Sequence, residues 1–176
     1  KAAKAMGLGV KIHADEVNDL GGAALAAELG ACSADHLLAA SEKNIKKMSE
    51  AGVIATLLPA TAYSLRKDYA RARLMIENKV AVALATDCNP GSSFTESMQF
   101  VIGLAVLSMR MTPAEALTGS TLNSAYALKM ADRVGSLDKG KQADFLLLEG
   151  DSPAILAYHA GVSSVVSVYK KGQKIN

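Results

Sequence analysis

The sequence predicts an α/β fold in which parallel strands alternate with helices, and three observations predict it. Short apolar runs and helical stretches succeed one another four times before residue 110. The run at 80–86, Val-Ala-Val-Ala-Leu-Ala-Thr, is apolar without alternation, the pattern of a parallel strand covered on both faces. Polar residues able to do chemistry, His13, His36 and Asp87, then stand where such strands end. Catalytic groups occupy that position in barrels of parallel strands.

Caps, turns and apolar runs mark the elements along the chain. Residues 1–6 read as the last turns of a helix, with Gly7 in the place of a C-terminal cap. No methionine opens the chain, so the sequence is expected to begin in mid-fold. A strand at 9–13 leads through an acidic loop to a helix at 22–29 closed by Gly30. A short strand within 31–38, around Asp35 and His36, precedes a helix at 41–51 with Ser41 as N-cap. The third strand is 53–58, residues 59–67 read as loop, 68–78 as helix, 80–86 as the fourth strand and 96–110 as helix. Thr112-Pro113 places a cap before a proline and opens another helix, and 121–130 continues helical. From Gly135 the character changes to strands at 144–149 and 165–170, with Lys171-Gly172 as a hairpin turn into 173–175. Four βα units are half of an eight-stranded barrel. The expected architecture is therefore the second half of a (β/α)8 TIM-type barrel at 1–132, with part of a small β-domain at 133–176; a small open sheet is the alternative.

Composition excludes several classes of function. With 50% hydrophobic and 20% charged residues among 176, the chain has apolar material for one core. Its 19 basic and 17 acidic side chains leave a formal net charge of +2 and form no long basic run, so neither a nucleic-acid nor a membrane partner is expected. The longest apolar stretch, 100–107, is far short of the roughly 20 residues that span a bilayer, and no signal peptide opens the chain. A cytoplasmic location is the expectation. Cys32 and Cys88 lack Cys-x-x-Cys spacing, which argues against a disulfide framework or a structural zinc site. Cys88 follows Asp87 directly and, in an extended segment, points the opposite way; it reads as structural.

The candidate chemistry lies at the strand ends. His13 closes the first strand and is followed by Ala14-Asp15-Glu16; His36 closes the second, preceded by Asp35. Imidazoles and carboxylates are the donors that zinc and ferrous iron take. Because adjacent strand ends of a barrel face one pocket, His13, Glu16, His36 and Asp87 are candidates to converge there. A lone buried histidine is ordinarily a hydrogen-bonded core residue. Three strand-end polar groups in one half-barrel are not explained by packing, since each buried polar group needs a partner. After Asp87, the loop Asn89-Pro90-Gly91-Ser92-Ser93 is rich in donors and suits a polar substrate. Ser92 and Ser93 lie in no Gly-x-Ser-x-Gly elbow and read as donors rather than nucleophiles. His159 reads as a turn or packing residue, and the Tyr63-Ser64 pair is a weak candidate to reach substrate.

On Lys11-Ile-His-Ala-Asp-Glu16, Ser33-Ala-Asp-His-Leu37, Ala85-Thr-Asp-Cys-Asn-Pro-Gly-Ser-Ser93 and Lys139-Gly-Lys-Gln-Ala-Asp144, the chain resembles the C-terminal part of the imidazolonepropionase family, within the metal-dependent amidohydrolase superfamily. The resemblance covers essentially the whole chain. His-Ala-Asp-Glu combined with Asp-x-Asn-Pro-Gly-Ser-Ser is its specific part. It implies a barrel carrying one divalent metal ion, zinc or iron, and a small β-sandwich built from both chain ends. The implied activity is hydrolytic ring opening of 4-imidazolone-5-propanoate to N-formimidoyl-L-glutamate in histidine degradation. By resemblance His13 and Asp87 are metal ligands; Glu16 and His36 handle protons and substrate, with Asp87 a second candidate to take the proton; Asn89, Gly91 and Ser92 bind substrate. The full enzyme is expected to be a homo-oligomer, a dimer. The family's other two ligands, a His-x-His on the first strand, have no counterpart in these residues. Taken alone, the chain is therefore expected to bind metal weakly, catalyse nothing and leave strand edges open. Two competing readings stand beside this one. A nucleobase deaminase on the same barrel is disfavoured by the 89–93 loop, and an inert structural half is the non-enzymatic alternative.

Overall fold

The computed structural model of the chain describes residues 2–176, so the helical turn expected at Lys1 lies outside the described residues. A short helix, α1 (Ala2–Ala5), leads to β1 (Lys11–Ala14), α2 (Gly22–Leu29), β2 (Ser33–His36), α3 (Glu42–Glu50) and β3 (Ile54–Leu57). There follow α4 (Pro59–Ser64), α5 (Ala72–Glu77), β4 (Val82–Leu84), α6 (Met98–Leu107), α7 (Pro113–Ser120) and α8 (Leu122–Ala127). Strands β1 to β4 pair in sequence order and all in parallel. Such strands need a crossover between each pair, and helices supply it every time. This is the partial barrel that the alternation predicts.

Register explains how the sheet has one apolar and one partly polar face. Ile12, Ala34, Ala55 and Val82 are partners across the four strands. They point to one side, and all belong to or pack on the hydrophobic core beneath the helices. One residue on, His13, Asp35, Thr56 and Ala83 line up across the opposite face. Lys11 and Ser33 share that face; Lys11 Nζ donates to Ser33 Oγ at 2.6 Å, and Ser33 Oγ donates to Asp35 Oδ1 at 2.7 Å. Strand β4 is buried at all three positions, as its unbroken apolar run requires.

Helix ends follow the expected chemistry with specific departures. Gly30 takes the left-handed conformation after α2, and Thr112 with Glu115 forms a reciprocal capping box before Pro113. Ser41 occupies the N-cap of α3, but its side chain makes no capping bond; its backbone N–H donates instead to Asp19. The stretch at 59–67 is not all loop. Pro59 stands at the first position of α4, where its missing N–H costs nothing, and residues 59–62 are buried. The helix expected at 68–78 contracts to α5, beginning at Ala72 after Arg71. Arg73 on that helix reaches Glu115 Oε2 at 2.5 Å and the Arg110 carbonyl at 2.9 Å, fastening α5 to the start of α7.

Beyond the barrel part, β5 (Phe145–Leu148), a short helix α9 (Ile155–Tyr158), β6 (Val165–Lys170) and β7 (Gln173–Lys174) complete the chain. The strands form one antiparallel sheet in the order β5-β6-β7. Lys171 and Gly172 both have positive φ, 51° and 77°, as a tight hairpin turn of the kind expected requires. His159 closes α9, a helix no signal in the sequence predicts, and its carbonyl accepts from Gln99. Asp144 ties this sheet together by accepting from the Lys170 ammonium, the Lys171 N–H and the Gln142 amide. Those donors, Lys170 foremost, hold its carboxyl down at about 2, below the ordinary 3.8. The tie is therefore intact above pH 3.8, weakens as pH falls below it and is lost near 2. Hydrogen exchange should show β6 and β7 amides losing protection across that window, and Asp144→Asn should remove the dependence.

Candidate metal centre

The ends of β1, β2 and β4 bring four chemistry-bearing side chains together. His13 is the third residue of β1, and Glu16 lies just past its end; His13 Nε2 and Glu16 Oε2 are 2.9 Å apart. His36 ends β2, with Nδ1 at 3.6 Å from Glu16 Oε1 and Nε2 at 4.0 Å from Asp87 Oδ2. The two imidazole rings lie 4.2 Å apart between centroids. Ligand-capable atoms of His13, Glu16 and His36 all fall within 4.8 Å of one another. Asp87, three residues beyond β4, joins the group through His36 and accepts a hydrogen bond of 2.7 Å from Thr61.

The backbone aims these groups by leaving the strand conformation where the strands end. Among the described residues nine non-glycine residues have positive φ, and four of them, Asp15, His36, Leu37 and Asp87, cluster here. Arg66, Lys79, Arg110 and Lys129 follow helix C-termini, where a left-handed residue is ordinary. At the strand ends no such cap explains it. Each left-handed side chain costs about 1–3 kcal/mol and persists only where surrounding bonds over-determine it.

Asp15 shows how that is done. Only 7% exposed, it accepts from Leu20 N and Gly22 N on Oδ1 and from Ala23 N on Oδ2, at 2.8–3.0 Å. One carboxylate thereby fixes the loop between His13 and the start of α2. Gly22 must stay bare, because an added Cβ would come within 2.9 Å of Ala14 Cβ. Asp15→Ala should destabilise the protein by about 2–4 kcal/mol, since it strands several N–H groups at once. A urea midpoint unchanged from the parent would show that water replaces the carboxylate.

Electrostatically, His36 is the perturbed group. Burial pushes its imidazole below the ordinary 6.5, outweighing the neighbouring Glu16 and Asp87 carboxylates, which pull it up, and His13 opposes protonation further. It is therefore neutral at neutral pH. Its buried Nδ1 has no hydrogen-bond partner, so the group carries unfilled polar capacity. Imidazoles beside carboxylates are the donor set of a zinc or iron site. They can equally hold and pass a proton.

The loop after Asp87 is organised from within. Asn89 Nδ2 donates to the Asp87 carbonyl at 2.7 Å and to Ser92 Oγ at 3.0 Å, while Asn89 Oδ1 accepts from Gly91 N and Ser92 N. Ser93 is buried and donates to the Thr86 carbonyl. Among the described residues no hydrogen bond joins Asn89, Gly91 or Ser92 to the His13, Glu16 and His36 side chains; Asp87 is the link. Cys88 is exposed and Cys32 partly buried, and both are free thiols. Tyr63 is exposed and packs edge-on against Phe100. Sequence reasoning missed Thr61 because its segment read as loop; Pro59 immediately after a strand was the signal of a helix start that could have found it.

The sequence model of the amidohydrolase family matches residues 1–175. Over 176 residues the chain is 86% identical to the imidazolonepropionase of Desulfotalea psychrophila, covering all of this chain and 42% of that protein. It is 64% identical over 171 residues to the imidazolonepropionase of Syntrophobacter fumaroxidans, covering 97% of this chain and 40% of the relative. The chain thus spans about two fifths of the length of these relatives. Among solved structures, a zinc-bound adenosine deaminase from Xanthomonas campestris superposes with a TM-score of 0.82 at 23% identity, over 98% of this chain and 46% of the deaminase. At that identity the likeness is one of fold.

Proposed function

The chain belongs to the amidohydrolase family, and from that premise we propose that it contributes part of an active site for hydrolytic opening of 4-imidazolone-5-propanoate to N-formimidoyl-L-glutamate. The observation that carries the reading is 86% identity across the whole chain to a protein named for that activity. The strand-end donor set supports it chemically. Residues 1–132 are read as barrel and 133–176 as part of a composite β-sandwich, in a cytoplasmic, dimeric enzyme. No described helix is long and apolar enough to cross a membrane.

His13 and Asp87 would hold one divalent metal, zinc or iron. The fit rests on the chemistry of the donors present, imidazoles and carboxylates gathered at the ends of these strands. When bound, the metal would supply Lewis acidity, bringing the pKa of water down to about 7 and polarising the ring carbonyl or amidine carbon under attack. Glu16 takes the water's proton on its carboxylate, from a position beside both imidazoles. His36, kept neutral by burial, offers its N–H to negative charge developing on the substrate oxygen. Asn89, Gly91 and Ser92 form the loop that binds the substrate's polar groups. Further metal ligands would come from the part of the relatives that this chain does not span.

The test is product identity. The complete protein given 4-imidazolone-5-propanoate should yield N-formimidoyl-L-glutamate by mass spectrometry. Ammonia released from nucleobases, with the imidazolone left intact, would replace this reading with a deaminase.

A further inference from the structure

We infer that Thr61 is a positioning residue for Asp87, holding one carboxylate oxygen so that the other is left for the metal; this rests on the reading of Asp87 as a ligand. Asp87 lies past β4 with φ of 52°, so strand alternation does not set the direction of its side chain. Something else must. Thr61 Oγ1 donates to Asp87 Oδ2 at 2.7 Å. Among the described residues no hydrogen bond is made to Asp87 Oδ1.

Thr61 is built to keep that bond. It is 2% exposed, and its backbone is fixed in α4 by the bonds Thr61 N to Leu58 O and Leu65 N to Thr61 O. A helical threonine often turns its hydroxyl back to a carbonyl three or four residues earlier. Here the Leu57 carbonyl accepts from Ala85 N and the Leu58 carbonyl from Thr61 N and Ala62 N. The hydroxyl is spent on Asp87 instead. A β-branched side chain in a helix has few rotamers, so the donor is stiff. The joint between β3 and α4 thus grips the segment after β4 twice, through Leu57 O to Ala85 N and through Thr61 to Asp87. An acceptor held by a charge-assisted bond presents its remaining oxygen in one orientation.

The experiment measures the dissociation constant of Zn²⁺ by chelator competition on the complete protein, with the melting midpoint of the metal-free form. Thr61→Val keeps the shape and removes the donor; it should weaken zinc binding about 10- to 100-fold, as loss of a bond to a ligand typically does. Thr61→Ser keeps the donor and should stay close to the parent. If Thr61→Val does not fold, Thr61→Ala read against Thr61→Ser makes the same comparison. Asp87→Ala provides the reference. Unchanged zinc affinity in Thr61→Val, with Asp87→Ala losing the metal, would overturn the inference and leave the ligand assignment standing. Unchanged affinity in both variants would overturn the assignment of Asp87 as well. A Thr61→Ser variant as weak as Thr61→Val would show that the hydroxyl is not the cause.

Discussion

Glu16→Gln in the complete protein is expected to lower kcat by about 10²- to 10⁴-fold, the loss typical of a positioned acid-base group. Bound metal should remain stoichiometric. The side chain keeps its shape but no longer takes up a proton at neutral pH, and the proposed reaction needs a group that does. Glu16 is the carboxylate closest to both histidines, 2.9 Å from His13 Nε2 and 3.6 Å from His36 Nδ1, and its side chain is 23% exposed, open enough to meet water. Single-turnover kinetics with parallel metal analysis separates the two effects. Full turnover in this variant would remove Glu16 from the mechanism and leave Asp87 as the carboxylate that takes the proton.

Asp87→Ala is expected to remove metal and activity together. Losing an outer partner of a ligand costs 10- to 100-fold in affinity, and loss of a ligand itself should exceed about 100-fold. The same substitution strips Thr61 Oγ1 of its acceptor and His36 Nε2 of its neighbouring carboxylate. His13→Ala should reproduce the loss of metal while leaving the Thr61 side chain paired. Elemental analysis of both variants after dialysis, beside their rates, checks this. Metal retained at parental stoichiometry in both would contradict the ligand pair.

Much of the fold was legible because its signals are local. The unbroken apolar run before Asp87, the Thr112-Pro113 cap and the Lys171-Gly172 turn each specify structure within a few residues. Helix α4 was hidden for the same reason. Six residues, Pro-Ala-Thr-Ala-Tyr-Ser, are too few to show a helical period. With α4 went Thr61, whose partner lies 26 residues away. Asp15 reads in sequence as one more acidic residue in a loop, and its hold on three N–H groups depends on how α2 returns against β1. The Lys11, Ser33 and Asp35 line needs strand register before it can be drawn. Asn89 is expected from the sequence to bind substrate, and its bonds within its own loop, of the kind an Asn before Pro-Gly commonly makes, emerge only from the structure. The convergence of His13, Glu16, His36 and Asp87 came from a topological argument, that strand ends of a barrel face one pocket.

We propose that His13, on β1, and Asp87, past the end of β4, bind one metal while Glu16 and His36 stand beside it. The geometry also offers a rival set, His13 with Glu16 and His36, whose ligand atoms already lie within 4.8 Å of one another. Anomalous diffraction from crystals of the complete, metal-loaded protein decides between them. The expected result is a single anomalous peak in bonding contact with His13 and the Asp87 carboxylate, with Glu16 and His36 outside the bonding distance. A peak bonded to Glu16 and His36 and not to Asp87, or no peak at these strand ends, would contradict it.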